Sequence, residues 1–162
     1  LGTVFTPAAR GPAVEPSFEI IVDDLTPGGL VLAPPAGWRE SAEADRSYGG
    51  SSKVALADGQ AKTATFVTDI PQTGKYEVSL YWTTAVETLR SSSVPVAVHD
   101  VAGWKSLTVS QVGTQTGFNS LGTYHLEAGK GREVVRISTE GVPPSTTVHV
   151  AVDAMKLVKV AD

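Results

Sequence analysis

Cysteine is absent from the 162 residues, which removes disulfides, thiolate zinc sites and thiol nucleophiles together and leaves stability to the packed core. No apolar run approaches the roughly 18 residues that cross a bilayer as a helix, so no membrane span is expected. Positive charge is scarce: 13 Lys and Arg stand against 17 Asp and Glu, for a net charge of −4. Without a basic stripe to neutralise phosphates, nucleic acid is not an expected partner. No long stretch repeats its apolar residues at i, i+3 and i+4, which argues against helices. Catalytic signatures are missing as well: there is no Gly-x-Ser-x-Gly elbow, no phosphate loop, no metalloprotease helix and no carboxylate pair that spacing sets across a cleft. The chain opens at Leu1 with neither an initiator methionine nor a signal-peptide pattern, and reads as a piece of a longer precursor.

What is present is the composition of a folded domain. Apolar residues make up 41% and charged residues 19%, and a chain of this length suffices for one core burying roughly 70% of its unfolded surface. Residues 1–18 carry Pro7, Pro12, Pro16, Gly2 and Gly11 without strand or helix period and read as a linker or extended lead-in. The domain proper is expected over residues 19–160.

From Glu19 onward, short β-rich runs alternate with turn residues. In the clearest run, from Gly74 to Thr84, Tyr76, Val78, Leu80 and Trp82 share one face while Glu77, Ser79, Tyr81 and Thr83 share the other. Val94, Val96 and Val98 repeat the alternation, as do Leu107 with Val109, Val134 with the Ile137 region, and Val148 with Val150 and Val152. Turn signals separate these runs at Pro71-Gln72-Thr73-Gly74, Gly103, Gly113 to Gly117, Gly129-Lys130-Gly131 and Gly141 to Pro144. About nine or ten strands are predicted, enough for two packed sheets. The fold class is all-β, an antiparallel β-sandwich of jelly-roll type.

The last run holds an irregularity. Val148, Val150 and Val152 occupy even positions and Met155 and Leu157 odd ones, so the phase shifts at Asp153-Ala154. Either a β-bulge re-aims one side chain there, or Asp153 shares the core face, where an unpaired charge is costly and needs hydrogen-bond donors or a cation.

Taken in order, Ile20-Ile21-Val22-Asp23-Asp24, Gly37-Trp38, Tyr48-Gly49, Ala64-Thr65-Phe66, Gly74-Lys75-Tyr76-Glu77-Val78, Tyr81-Trp82, Val98-His99, Val109-Ser110-Gln111, Leu121-Gly122-Thr123-Tyr124 and Val152-Asp153-Ala154-Met155 resemble the golvesin C-terminal-like domain. That family is also described as similar to a carbohydrate-binding module of xanthan lyases. The resemblance lies in collinear order over nearly the whole chain rather than in one motif. It implies a β-sandwich appended to secreted bacterial enzymes and surface proteins. A secreted or cell-surface location, other domains of a parent chain as neighbours, and a polysaccharide or cell-wall glycan as ligand follow from it. The segment Thr83 to Arg90 departs from the polar Asn-Arg-Ala-like stretch more usual in the family.

Aromatic faces stack on the apolar faces of sugar rings, but their area also suits a core. Alternation assigns Trp82 to the core, and Trp38, after Gly37 at a strand start, goes there too. Trp104 follows Gly103 out of phase with Leu107 and Val109, which puts it near a hairpin end on the solvent side. Trp104 is therefore the first candidate for glycan binding, followed by Tyr81 and Tyr48. Asp23, Asp24 and Asp153, from the first and last strands, form a candidate metal set. A structural Ca²⁺ bridging those strands wants about six to eight oxygens. The plain alternative makes Asp23-Asp24 an Asx turn ahead of Pro27-Gly28-Gly29, with Asp153 accepting backbone hydrogen bonds. His99, His125 and His149 lie on separate strands without i, i+4 partners and read as solvent-facing or hydrogen-bonded residues. Gln111, in phase with Leu107 and Val109, reads as satisfying backbone groups inside the sandwich.

The expected function is a non-catalytic carbohydrate-binding or accessory module of a larger secreted bacterial protein. The alternative is a structural or interaction spacer without a glycan ligand. A stand-alone hydrolase or lyase ranks last, because no nucleophile, base or metal set emerges, although sandwich scaffolds host such enzymes.

Overall fold

A computed structural model of the chain describes residues 18–42, 46–114 and 117–161; apart from Phe18, the lead-in expected over 1–18 lies outside them. The alternating runs form twelve strands among the described residues: β1 (Glu19–Asp23), β2 (Leu30–Ala33), β3 (Arg39–Glu40), β4 (Lys53–Leu56), β5 (Thr63–Ile70), β6 (Gly74–Tyr81), β7 (Val94–Asp100), β8 (Gly103–Val109), β9 (Phe118–Leu126), β10 (Gly129–Ser138), β11 (His149–Val152) and β12 (Ala154–Lys159). The count exceeds nine or ten because β2, β3, β4 and β11 hold four residues or fewer, too few to display a period. No helix among the described residues is long and apolar enough to cross a membrane.

The strands form a five-stranded sheet in the order β2-β5-β10-β7-β8, a four-stranded sheet in the order β1-β12-β6-β9, and a three-stranded sheet in the order β11-β4-β3. Every ladder between these strands is antiparallel. The domain is thus an all-β sandwich. The inward faces carry Phe66 from β5, Tyr76, Val78 and Leu80 from β6, Val94, Val96 and Val98 from β7, and Met155 and Leu157 from β12, all buried. β10 buries Val134, Val135 and Ile137, two of them adjacent, because its register against β5 slips between Glu133 and Val135. Such a bulge turns one extra side chain inward. Trp38 and Trp82 are buried in the same core, although β6 itself ends at Tyr81 rather than Thr84.

The phase shift in the last run marks a change of sheet. β11 pairs with β4 in the three-stranded sheet, β12 pairs with β1 and β6 in the four-stranded one, and Asp153 alone stands between them. Gln111 fills a neighbouring gap in hydrogen bonding: its side-chain amide donates to the Ala151 carbonyl and its Oε1 accepts the Ala151 N–H, each at 2.8 Å. A buried side chain here does the work of a missing strand. Gln111→Leu leaves both groups of Ala151 unpaired, so a loss of roughly 3 kcal/mol is expected in denaturant unfolding. A loss below about 1 kcal/mol would show that Ala151 finds other partners.

Candidate functional site

The three aspartates of the candidate metal set converge on the residues preceding β4. Asp153 is fully buried, and its Oδ2 accepts the Tyr48 N–H at 2.7 Å. That N–H is aimed by a tight turn at Tyr48–Gly50, where Gly49 and Gly50 take positive φ of 66° and 87°, a region that favours glycine. A Cβ on Gly49 would lie 3.1 Å from Asp23 Oδ2, so the turn also needs glycine for space. Asp23 closes the Asx turn of the plain alternative: its Oδ1 accepts the Leu25 N–H at 2.9 Å and the Thr26 hydroxyl at 3.1 Å. Asp24 accepts the Ser51 hydroxyl at 2.8 Å, with Lys53 Nζ at 3.9 Å.

Asp153 Oδ1 is the unresolved end of this arrangement. It is one of three buried side-chain polar atoms without a partner among the described residues, the others being the indole nitrogens of Trp38 and Trp82. Burial is the main reason the Asp153 carboxyl is pushed up to about 7; Asp24 and Asp23 add to the effect and the Tyr48 hydrogen bond opposes it. Asp24 is raised as well, again chiefly by burial.

Two of the three aromatic candidates meet at the same place. Tyr48 and Tyr81 lie 5.9 Å apart between centroids, Tyr48 and Phe118 5.5 Å, and Tyr81 and Phe118 5.4 Å, with Lys156 Nζ 4.7 Å over the Phe118 ring. The Tyr81 hydroxyl donates to the Arg46 carbonyl at 3.3 Å. Both tyrosines are half-buried, and their contacts pack the turn onto β6 and β9. Sequence alone did not single out Phe118, because its place opposite Tyr81 depends on a strand register.

Trp104 lies apart from them, on the outer face of the five-stranded sheet, where it is 36% exposed. It is not a bare platform. His99, its register partner on β7, lies 4.5 Å away between centroids and within 6° of parallel. The Arg136 guanidinium carbon from β10 sits 4.4 Å over the indole. Two more contacts hold that guanidinium: Nη2 donates to Glu133 Oε2 at 3.1 Å and Nε to Thr65 Oγ1 at 3.4 Å. His99 and Arg136 reach the indole from different rows of the sheet, since His99 faces Trp104 while Arg136 faces Ala97. Beside Arg136 opens a shallow groove of about 270 Å³, with Pro95 and Ala97 in its lining and Ser106, Thr108 and Ser138 around them. Arg136 lines this groove, and Trp104 braces Arg136. The bulge in β10 hid Arg136 from sequence reading, because alternation does not carry across the slip.

A model of the Golvesin C-terminal domain matches residues 20–159. The chain belongs to that family. A xanthan lyase from Bacillus sp. (strain GL1) is 30% identical over 146 residues, which cover 87% of this chain and 15% of that enzyme. The structure of a Paenibacillus xanthan lyase superposes with a TM-score of 0.75 at 30% identity, over 88% of this chain and 13% of that one. The C-terminal CBM6 of LamC from Zobellia galactanivorans superposes at 10% identity with a TM-score of 0.53, over 88% of this chain and 100% of that module; at that identity the fold alone is shared. The golvesin-family chain therefore spans only a small part of the xanthan lyases it matches.

Whether a cation fits here turns on Asp153. A hard oxygen donor with no partner is one that a cation or a proton can satisfy, but Ca²⁺ takes about six to eight oxygens and Oδ1 supplies one. The other acids are already engaged, and among the described residues no group of three or more acidic or histidine side chains stands ready to hold a metal. A proton competes for the same oxygen. A raised carboxyl favours the protonated native state, so its stabilisation is full below about pH 4 and declines as pH climbs towards 7. In EDTA the melting temperature is expected to fall across that window and then level, and Asp153→Asn to abolish the fall. A variant that keeps the same slope would place the titrating group elsewhere.

Proposed function

We propose that this golvesin-family domain is a non-catalytic carbohydrate-binding module of a larger secreted protein, and that its glycan lies in the groove beside Arg136. The supporting observation is the Trp104-braced Arg136 facing Ser106, Thr108 and Ser138 across an open, partly apolar channel. Sugars present alternating apolar and hydroxyl surfaces. Pro95 and Ala97 offer contact to ring carbons, while serine and threonine hydroxyls and guanidinium N–H groups exchange hydrogen bonds with the ring substituents. The groove is open at the surface, which suits a polysaccharide more than a small enclosed ligand. Trp104 then acts by holding Arg136 in place, and Tyr48 and Tyr81 serve the turn before β4.

A structural Ca²⁺ belongs to the same reading, with Asp153 as its first ligand and Asp23 and Asp24 as the neighbouring acids. It would supply the charge that lets Asp153 stay ionised where it is buried. At about pH 8, where the native carboxyl is otherwise ionised, added calcium is expected to raise the melting temperature of the wild type and to leave Asp153→Asn unmoved. An unchanged wild-type melt would discard the ion.

Binding is tested with the whole chain against soluble polysaccharides and peptidoglycan by calorimetry. Saturable binding is expected, weakened about tenfold by Arg136→Gln and by Trp104→Ala while both variants keep their fold. No binding across a broad panel would favour a spacer instead, and turnover of any glycan would overturn the non-catalytic reading.

A further inference from the structure

The three-stranded sheet carries a cluster of cations that the groove does not use. Arg39 on β3 is exposed, and among the described residues no carboxylate pairs with it: Nη1 donates to the Glu40 carbonyl at 3.2 Å and Nη2 to His149 Nε2 at 3.3 Å. The other ring nitrogen of His149, Nδ1, lies 2.8 Å from the Thr147 carbonyl. A carbonyl only accepts, so Nδ1 bears the proton and Nε2 is free to accept from Arg39. The imidazole is therefore neutral. Burial, together with Arg39, Arg90 and Lys62, holds it below the usual histidine range against the pull of the Thr147 carbonyl.

The charges around this pair come from several elements. Arg90 is buried, bridges His149 through the backbone, and donates its Nε and Nη2 to the Thr83 carbonyl and hydroxyl at 2.8 and 3.0 Å. Lys62 is buried with its ammonium on the Leu56 carbonyl at 2.7 Å, directly behind the residue that faces His149, and Asp58 meets its charge at 3.1 Å. Glu40, the acid next to Arg39, is taken by Lys53 at 3.3 Å. Among the described residues Glu40 and Asp58 are thus committed to lysines, while Arg39 keeps its guanidinium fork on a carbonyl and an imidazole. In a chain of net charge −4, Arg39 is an exposed cation with no carboxylate partner among the described residues.

We propose that Arg39 and His149 form a binding site for a carboxylate, and, resting on the glycan reading above, that the carboxylate belongs to a uronic acid unit of an acidic polysaccharide. A carboxylate matches the guanidinium fork with two parallel charge-assisted hydrogen bonds, which the present carbonyl and imidazole partners do not provide. Once Arg39 turns to the ligand, His149 Nε2 loses its donor. It then takes a proton from solvent and donates to the same carboxylate, so binding strengthens as pH falls.

The test compares polygalacturonate with its fully methyl-esterified form, which keeps the sugar and removes the charge. The whole chain is expected to bind the acidic polymer about tenfold more tightly. Arg39→Gln should erase that preference, and His149→Gln should remove the strengthening between about pH 8 and pH 5. Equal binding of the two polymers, or undiminished preference in folded Arg39→Gln, would overturn the site while leaving glycan binding intact. Failure to bind either polymer, or any other glycan, would remove both. Competition by sodium sulfate as strong as by free galacturonate would reduce the site to a general anion contact and overturn the sugar assignment.

Discussion

A carboxylate that is fully buried at the only residue between two strands constrains much of one side of this sandwich. Asp153 stands where the chain leaves the three-stranded sheet and enters the four-stranded one, so its own side chain faces neither ladder partner nor solvent. Leaving such a group wholly unpaired costs far more than most single contacts contribute. The Tyr48 N–H meets half of the demand, and delivering that N–H requires the glycine turn at Gly49 and Gly50. The turn in turn rests against Asp23 and passes its next residue, Ser51, to Asp24. Strand β1, the turn, β4 and the β11 to β12 junction are therefore linked through three acids that act as hydrogen-bond acceptors.

The aromatic trio follows from the same link. A turn of two glycines held by short polar contacts has few apolar contacts of its own, and Tyr48, Tyr81 and Phe118 supply them on the side facing β6 and β9. Tyr81 adds a hydrogen bond to Arg46 just ahead of the turn. This explains why two tyrosines that look available in the sequence are half-buried in the fold. Their area goes into closing the turn over Asp153.

The alternation of β6 and β7 was legible because long antiparallel strands with one buried face repeat every second residue. Gln111 and the Asp23 turn were legible for a related reason: a polar residue in an apolar phase, or an aspartate before Pro-Gly-Gly, has few local ways to be satisfied. Asp153 was visible as a break of phase, but its partner 105 positions away is a matter of tertiary placement that no local period encodes. Arg136 escaped notice behind the bulge in β10. Arg39 escaped because β3 is two residues long, and because which described acids pair with which cations depends on tertiary placement. The place of Trp104 after Gly103 predicts a solvent-facing ring, and it is exposed, but composition does not show that His99 and Arg136 lie over it.

The two arginines separate in what they suit. Arg136 is held by a carboxylate, a hydroxyl and an indole, so its charge is largely balanced and its geometry fixed in advance. The cation–π contact adds about 0.5–1 kcal/mol at such a half-exposed site. It also removes rotamer freedom that a ligand would otherwise have to freeze. A pinned, neutralised guanidinium favours uncharged acceptors such as sugar hydroxyls, for which another full charge would bring only desolvation. Arg39 is the opposite case: exposed, partnered by a carbonyl and a neutral imidazole, and backed by a second buried arginine. Its unspent charge gains most from an anion. One sheet face thus offers order without net charge, and the other offers charge without a fixed partner, a division that suits a ligand carrying both hydroxyls and carboxylates.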